Sequence, residues 1–219
     1  MGPLKGYGLL PPHLAGIEFV YALLVIAFCL IIYFKTKELY ELTNHKGIQY
    51  FRNAFLFFAL AYATRFLTMF FRVSMENLRG TRTLFQFGFL FFTYASSMAL
   101  LYLLYSMLWR KSTTKFPVEY LLHGMGLLVP LIIFFVKGKF IFLITQIFIL
   151  VFAILILVTF MNKKKGKLYS TYLFLFIFWI VNVLAMSLPR FMLSIKILIY
   201  LSSVGIFFII LHKVLEKTK

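Results

Sequence analysis

Along the chain, runs of about 20 apolar residues alternate with short polar connections, the spacing of helices that cross a hydrocarbon core of about 30 Å. Seven such runs occur, at 15–34, 53–71, 83–109, 118–136, 140–161, 169–188 and 191–211. The pattern predicts an all-α polytopic membrane protein, a seven-transmembrane-helix bundle that forms one domain over 1–219. Met1–Leu14, with Gly2, Pro3, Gly6, Gly8, Pro11 and Pro12, disfavours helix and reads as a short tail. The first run has full spanning length and no small-residue cleavage site, so it is expected to be retained rather than removed as a signal peptide. Lys35–Arg52 is the longest connection, and part of it is expected to prolong its flanking helices. In the fourth run Gly124, Gly126 and Pro130 permit close packing and a kink.

Composition supports this class. The chain is 63% hydrophobic and 13% charged, against roughly 45–50% and 25% in soluble domains. Its net charge of +17 would point to nucleic acid in a soluble protein, but the basic residues cluster at the ends of apolar runs, and no nucleic-acid binding is expected. The connections after runs one, three, five and seven hold 14 of the 23 lysines and arginines, and the opposite side holds 7. The positive-inside rule then puts the N-terminus outside and the C-terminus in the cytoplasm of a cell membrane, with anionic lipids attracted to the inner face. The lone cysteine, Cys29, excludes an intramolecular disulfide.

Arg65 lies well inside the second run, where a charge costs about 2.5–3.5 kcal/mol on insertion scales and needs partners. Counting depth at about 1.5 Å per residue places Glu18, Arg65, Gln86, Gln146, Asn182 and Lys196 in the outer third of six different helices. Facing inward, these six would line a shallow outward-facing pocket for a small polar or anionic ligand. Glu18 and Arg65 lie within about a turn of each other in height on adjacent antiparallel helices, which makes them natural ion-pair partners. Two other readings stay open. Glu18, Gln86 and Lys196 are close enough to the interface to snorkel, and a Glu18–Arg65 pair serves structure alone equally well.

Glu119 and His123, four residues apart, share a helical face, where a carboxylate could bring the histidine into a pH-sensitive range, although such a pair is more often an interfacial contact. Lys196 in the final run has a parallel in the retinal lysine of rhodopsins. The chain contains no aspartate for a counter-ion or proton relay, so a retinal protein is not expected. There is no nucleophile elbow, no phosphate-cradling glycine loop and no metal-ligand set. No enzymatic activity, metal or cofactor is therefore expected. Ser202, Ser203 and Gly205 read as small residues for helix contact, and the abundant phenylalanines as lipid-facing surface and core filler.

Lys46-Gly47, Tyr50 and Phe55-Leu56-Phe57 recur in spacing as Lys165-Gly166, Tyr169 and Phe174-Leu175-Phe176. This fits a 3+1+3 repeat, a plan that resembles small sugar transporters, although their proline-glutamine pair is missing from runs one and five. The region Lys35–Arg65, especially His45-Lys46-Gly47 and the stretch Tyr50–Tyr62, resembles uncharacterised archaeal seven-span membrane proteins. That resemblance covers about 30 residues, implies a prokaryotic cell membrane and carries over no activity. The expected function is a receptor-like or sensory module that binds its ligand from outside and signals to a cytoplasmic or membrane protein partner. The alternatives are a small-molecule transporter and a non-catalytic structural subunit of a membrane complex.

Overall fold

The computed structural model of the protein describes residues 12–74, 81–109, 118–136, 139–161, 167–187 and 193–218. The tail up to residue 11, most of the connections 72–82, 110–117 and 162–168, and the break at Pro189 and Arg190 lie outside these residues. The described residues form seven α-helices: α1 (Pro12–Thr43), α2 (Lys46–Ser74), α3 (Thr81–Leu108), α4 (Val118–Val136), α5 (Lys139–Met161), α6 (Lys167–Ser187) and α7 (Leu193–Thr218). Each follows one of the hydrophobic runs. Five are long and apolar enough to cross a membrane; in α5 and α6 the described apolar stretches, Leu143–Leu155 and Ser170–Ala185, are shorter.

The expected long connection Lys35–Arg52 is almost entirely helical. Only Asn44 and His45 separate α1 from α2. The polar residues that resemble a loop in sequence instead stabilise helix ends: Lys35 pairs with Glu38 at 3.3 Å and Lys37 with Glu41 at 3.7 Å, one helical turn apart. Asn44 then turns the chain with φ at 48°, the left-handed conformation that asparagine tolerates better than most residues, and its N–H bonds Tyr40 O at 2.8 Å. Arg52 lies over the rings of Tyr33 and Tyr40, 5.3 and 5.2 Å from their centroids, which seats its cation against α1.

The helices close a ring in which α1 packs on α2 and α7, α2 on α3, α3 on α4 and α5, and α6 on α5 and α7. α3 runs through the interior, with residues 95–104 buried without interruption. α4 approaches it closely because Gly126 has no side chain: a Cβ there would collide with Met98. The outward faces of α4 and α5 are apolar, with Phe135 and Phe148 more than 70% exposed, as surfaces in hydrocarbon should be.

The centre is aromatic. Phe55, Phe58, Phe176, Phe178 and Phe207 are all less than 2% exposed. Phe178 meets Phe207 edge-on at 4.7 Å and Phe58 at 6.4 Å, joining α2, α6 and α7. Replacing Phe178 by alanine is expected to lower stability by about 3–5 kcal/mol, the range for emptied aromatic core sites. Replacing the half-exposed Leu131 by alanine should cost less than about 0.5 kcal/mol. Denaturant unfolding in detergent micelles compares the two directly.

Candidate functional site

Glu18 stands near the start of α1, and Tyr21 follows it by one turn. On α2 the same spacing separates Tyr62 from Arg65, and on α7 it separates Tyr200 from Ser203. Residues three apart share a helical face. Three helices therefore present two side chains each to one interior seam, in two layers.

The first layer is a triad. Arg65 Nη2 reaches Glu18 Oε2 at 3.5 Å and donates to Tyr200 Oη at 3.0 Å, while the Tyr200 hydroxyl donates to Glu18 Oε1 at 3.0 Å. Glu18 and Arg65 are 12% and 17% exposed at their side chains. The expected ion pair is therefore present, with a tyrosine bridging it. All the hydrogen bonds that Arg65 makes with described residues leave from Nη2. A guanidinium carries five N–H donors, so those on Nε and Nη1 are in reserve on a partly exposed side chain.

The second layer centres on Asn182 of α6. Its Oδ1 accepts from Tyr62 at 2.5 Å and also from Tyr21; its Nδ2 donates to Phe178 O and to Ser203 Oγ, both at 2.8 Å. Every site of the carboxamide is used. Tyr21 stacks on Tyr200 with ring centroids 4.5 Å apart, tying the layers together. The three tyrosines and Ser203 are absent from the sequence-based set. A spacing of three beside Glu18 and Arg65 and within α7 relates them once the helices are placed, but in a chain with 13 tyrosines that spacing does not single them out.

The other expected site residues separate. Lys196 is buried at 7% exposure, one turn before Tyr200 on the same face of α7. Gln86 is exposed on α3. Gln146 is fully buried, but its Nε2 donates to Ser97 Oγ at 3.1 Å, so it belongs to an α3–α5 contact away from the triad. The Glu119–His123 pair does not form. His123 instead uses both ring nitrogens on α3, Nδ1 with Tyr94 Oη at 2.6 Å and Nε2 with Tyr102 Oη at 3.3 Å, while Glu119 is exposed. The tyrosine hydroxyls occupy the positions a carboxylate would have needed. Among the described residues no three His, Cys, Asp or Glu side chains cluster as metal ligands would.

Asn182→Leu strands the hydroxyl of Ser203 and leaves those of Tyr21 and Tyr62 only their 3.4 Å contact with each other, and is expected to cost about 1–3 kcal/mol for each group left unsatisfied. Ser203→Ala removes one bond and should cost about 0.6–2 kcal/mol. Thermal unfolding of the two variants beside the parent measures the difference, and equal losses would mean that Asn182 is not the hub.

A protein of Archaeoglobus fulgidus, described as uncharacterised, is 34% identical over 227 residues, an alignment that covers 95% of this chain and 98% of the relative. No protein-family model matches the chain. No solved structure matches it either. Identity at that level over nearly the full length of both proteins extends the local resemblance at 35–65 to nearly the whole chain, and the chain belongs to this uncharacterised archaeal family.

Proposed function

We propose that the protein is a receptor-like or sensory module of the cell membrane that takes a small anion from outside at Arg65. The observation that carries this reading is the reserve of guanidinium donors on a partly exposed arginine whose own carboxylate partner is 3.5 Å away. A carboxylate or phosphate accepts two parallel N–H bonds from one guanidinium. Lys196, one turn from Tyr200 on the same face of α7, adds a second positive charge to the outer end of the seam, so Glu18, Arg65 and Lys196 together sum to +1, which favours an anion.

Seven membrane crossings with an external N-terminus belong to this proposal. α5 has 23 residues and α6 has 21, about 34 and 31 Å at about 1.5 Å per residue, which suffices for a core of about 30 Å. The basic connections then face the cytoplasm, where they offer a docking face to a partner and to anionic lipid. The phenylalanine layer beneath Asn182 favours sensing over transport, since polar groups give way there to packed rings.

The test is thermal stability of detergent-purified protein against small carboxylates, phosphate and sulfate. Saturation at one hundred times the dissociation constant is expected to add about 2.7 kcal/mol. Arg65→Lys keeps the charge, loses the fork and should lose most of the shift; Lys196→Ala should weaken it. A wild-type protein that no anion stabilises, with Arg65→Ala simply melting early, would reduce the triad to a structural ion pair.

A further inference from the structure

Arg52 lies at the end of the bundle where Asn44 and His45 join α1 to α2, about 20 Å along α2 from Arg65. Its guanidinium rests over the rings of Tyr33 and Tyr40, which stand two turns apart on α1. Nε is buried and has no hydrogen-bond partner among the described residues. Nη1 and Nη2 are accessible, and their N–H groups meet no acceptor among those residues either. The carboxylates of α1 at this level are engaged elsewhere, Glu38 with Lys35 and Glu41 with Lys37. Arg52 is therefore a cation held in place by aromatic rings, with its donors unspent.

Its surroundings share that imbalance. Gln49, one turn earlier on α2, is half-buried, and Lys46, one turn before that, is exposed. Neither side chain makes a hydrogen bond or ion pair among the described residues, and the hydroxyls of Tyr33 and Tyr40 make none. Lys35, Lys37, Lys46 and Arg52 outnumber Glu38 and Glu41 over this stretch. In the other direction the character of α2 reverses within a turn. Leu56 and Leu60 follow Arg52 at intervals of four, hence on one stripe of the helix, and are 40% and 38% exposed. Arg52 immediately precedes the second apolar run, so the stripe passes from cation to hydrocarbon at the depth where phosphates end and acyl chains begin.

We propose that Arg52 holds the phosphate of an anionic phospholipid whose acyl chains lie along Leu56 and Leu60. A phosphodiester presents two unbridged oxygens, which a guanidinium can take with two parallel N–H bonds. The tyrosine rings restrain the guanidinium before the lipid arrives, which lowers the ordering cost of binding. Lys46 adds a second charge and Gln49 a neutral donor. A choline or ethanolamine headgroup would bring its own cation to a place where both carboxylates are already paired, so an uncharged alcohol on the phosphate is preferred. With the N-terminus outside, this is the cytoplasmic leaflet. The site depends neither on that orientation nor on anion binding at Arg65.

Native mass spectrometry of the detergent-purified protein, titrated with dioleoylphosphatidylglycerol and separately with dioleoylphosphatidylcholine, reads headgroup preference at fixed acyl chains. The first lipid bound is expected to be the glycerol lipid by about fivefold. Arg52→Gln should abolish that preference. Lys35→Gln, which removes the same charge from the same end of the bundle, should lower it by less than about twofold, and Arg65→Lys should leave it unchanged. Equal losses from Arg52→Gln and Lys35→Gln would mean diffuse attraction to a basic surface and would overturn the site. So would a parent protein without preference, or a preference that persists in folded Arg52→Gln protein. Inorganic phosphate that displaces the glycerol lipid at equal concentration would identify a free-anion site and overturn the lipid. If Arg52→Gln fails to fold, Lys46→Gln combined with Gln49→Leu decides the matter: a weakened preference supports the site, and an unchanged one overturns it.

Discussion

The fold depends on one carboxamide. Asn182 sits among phenylalanines on α6, in surroundings that supply no alternative partner, and it meets all four of its hydrogen-bonding demands with groups from α1, α2, α6 itself and α7. In water such a side chain would choose freely between protein and solvent. In an apolar interior it must either find its full set or impose the cost of every missing bond. Four helices are thereby held at one level by a side chain that contributes little packing volume.

Above that level the demands are met less completely, and function is proposed at that boundary. The Glu18–Arg65–Tyr200 triad closes on itself through three contacts but leaves most of the guanidinium's donors unused. Below it, the rings of Phe58, Phe178 and Phe207 fill the space without a polar atom. The seam therefore grades from reserve capacity through full satisfaction to none.

The helices were legible because hydrocarbon demands long apolar runs and tolerates few interruptions. The Glu18–Arg65 pair was legible for a related reason: two opposite charges at equal height in adjacent runs have few other partners. Tyrosine carries no such signature. With 13 tyrosines in the chain, nothing in Tyr21, Tyr62 or Tyr200 singles out a hydroxyl aimed inward, and Ser203 reads as a small packing residue until Asn182 is placed beside it. Depth alone also cannot give direction around a helix axis. Gln86 and Gln146 sit at comparable heights, yet one is exposed and the other is fully buried. The segment Lys35–Arg52 was legible only in part: the flanking helices do run on into it, but further than its charged residues suggest, because ion pairs and an arginine over two tyrosine rings keep it helical up to Asn44 and His45.

On α7 the inward residues form a ladder with rungs at Lys196, Tyr200 and Ser203, each about one turn from the next. A small axial displacement of α7 would break the bonds of Tyr200 and Ser203 together. Because Tyr200 is tied to α1 and α2 and Ser203 to α6, the seam holds α7 at one height against three neighbours at once.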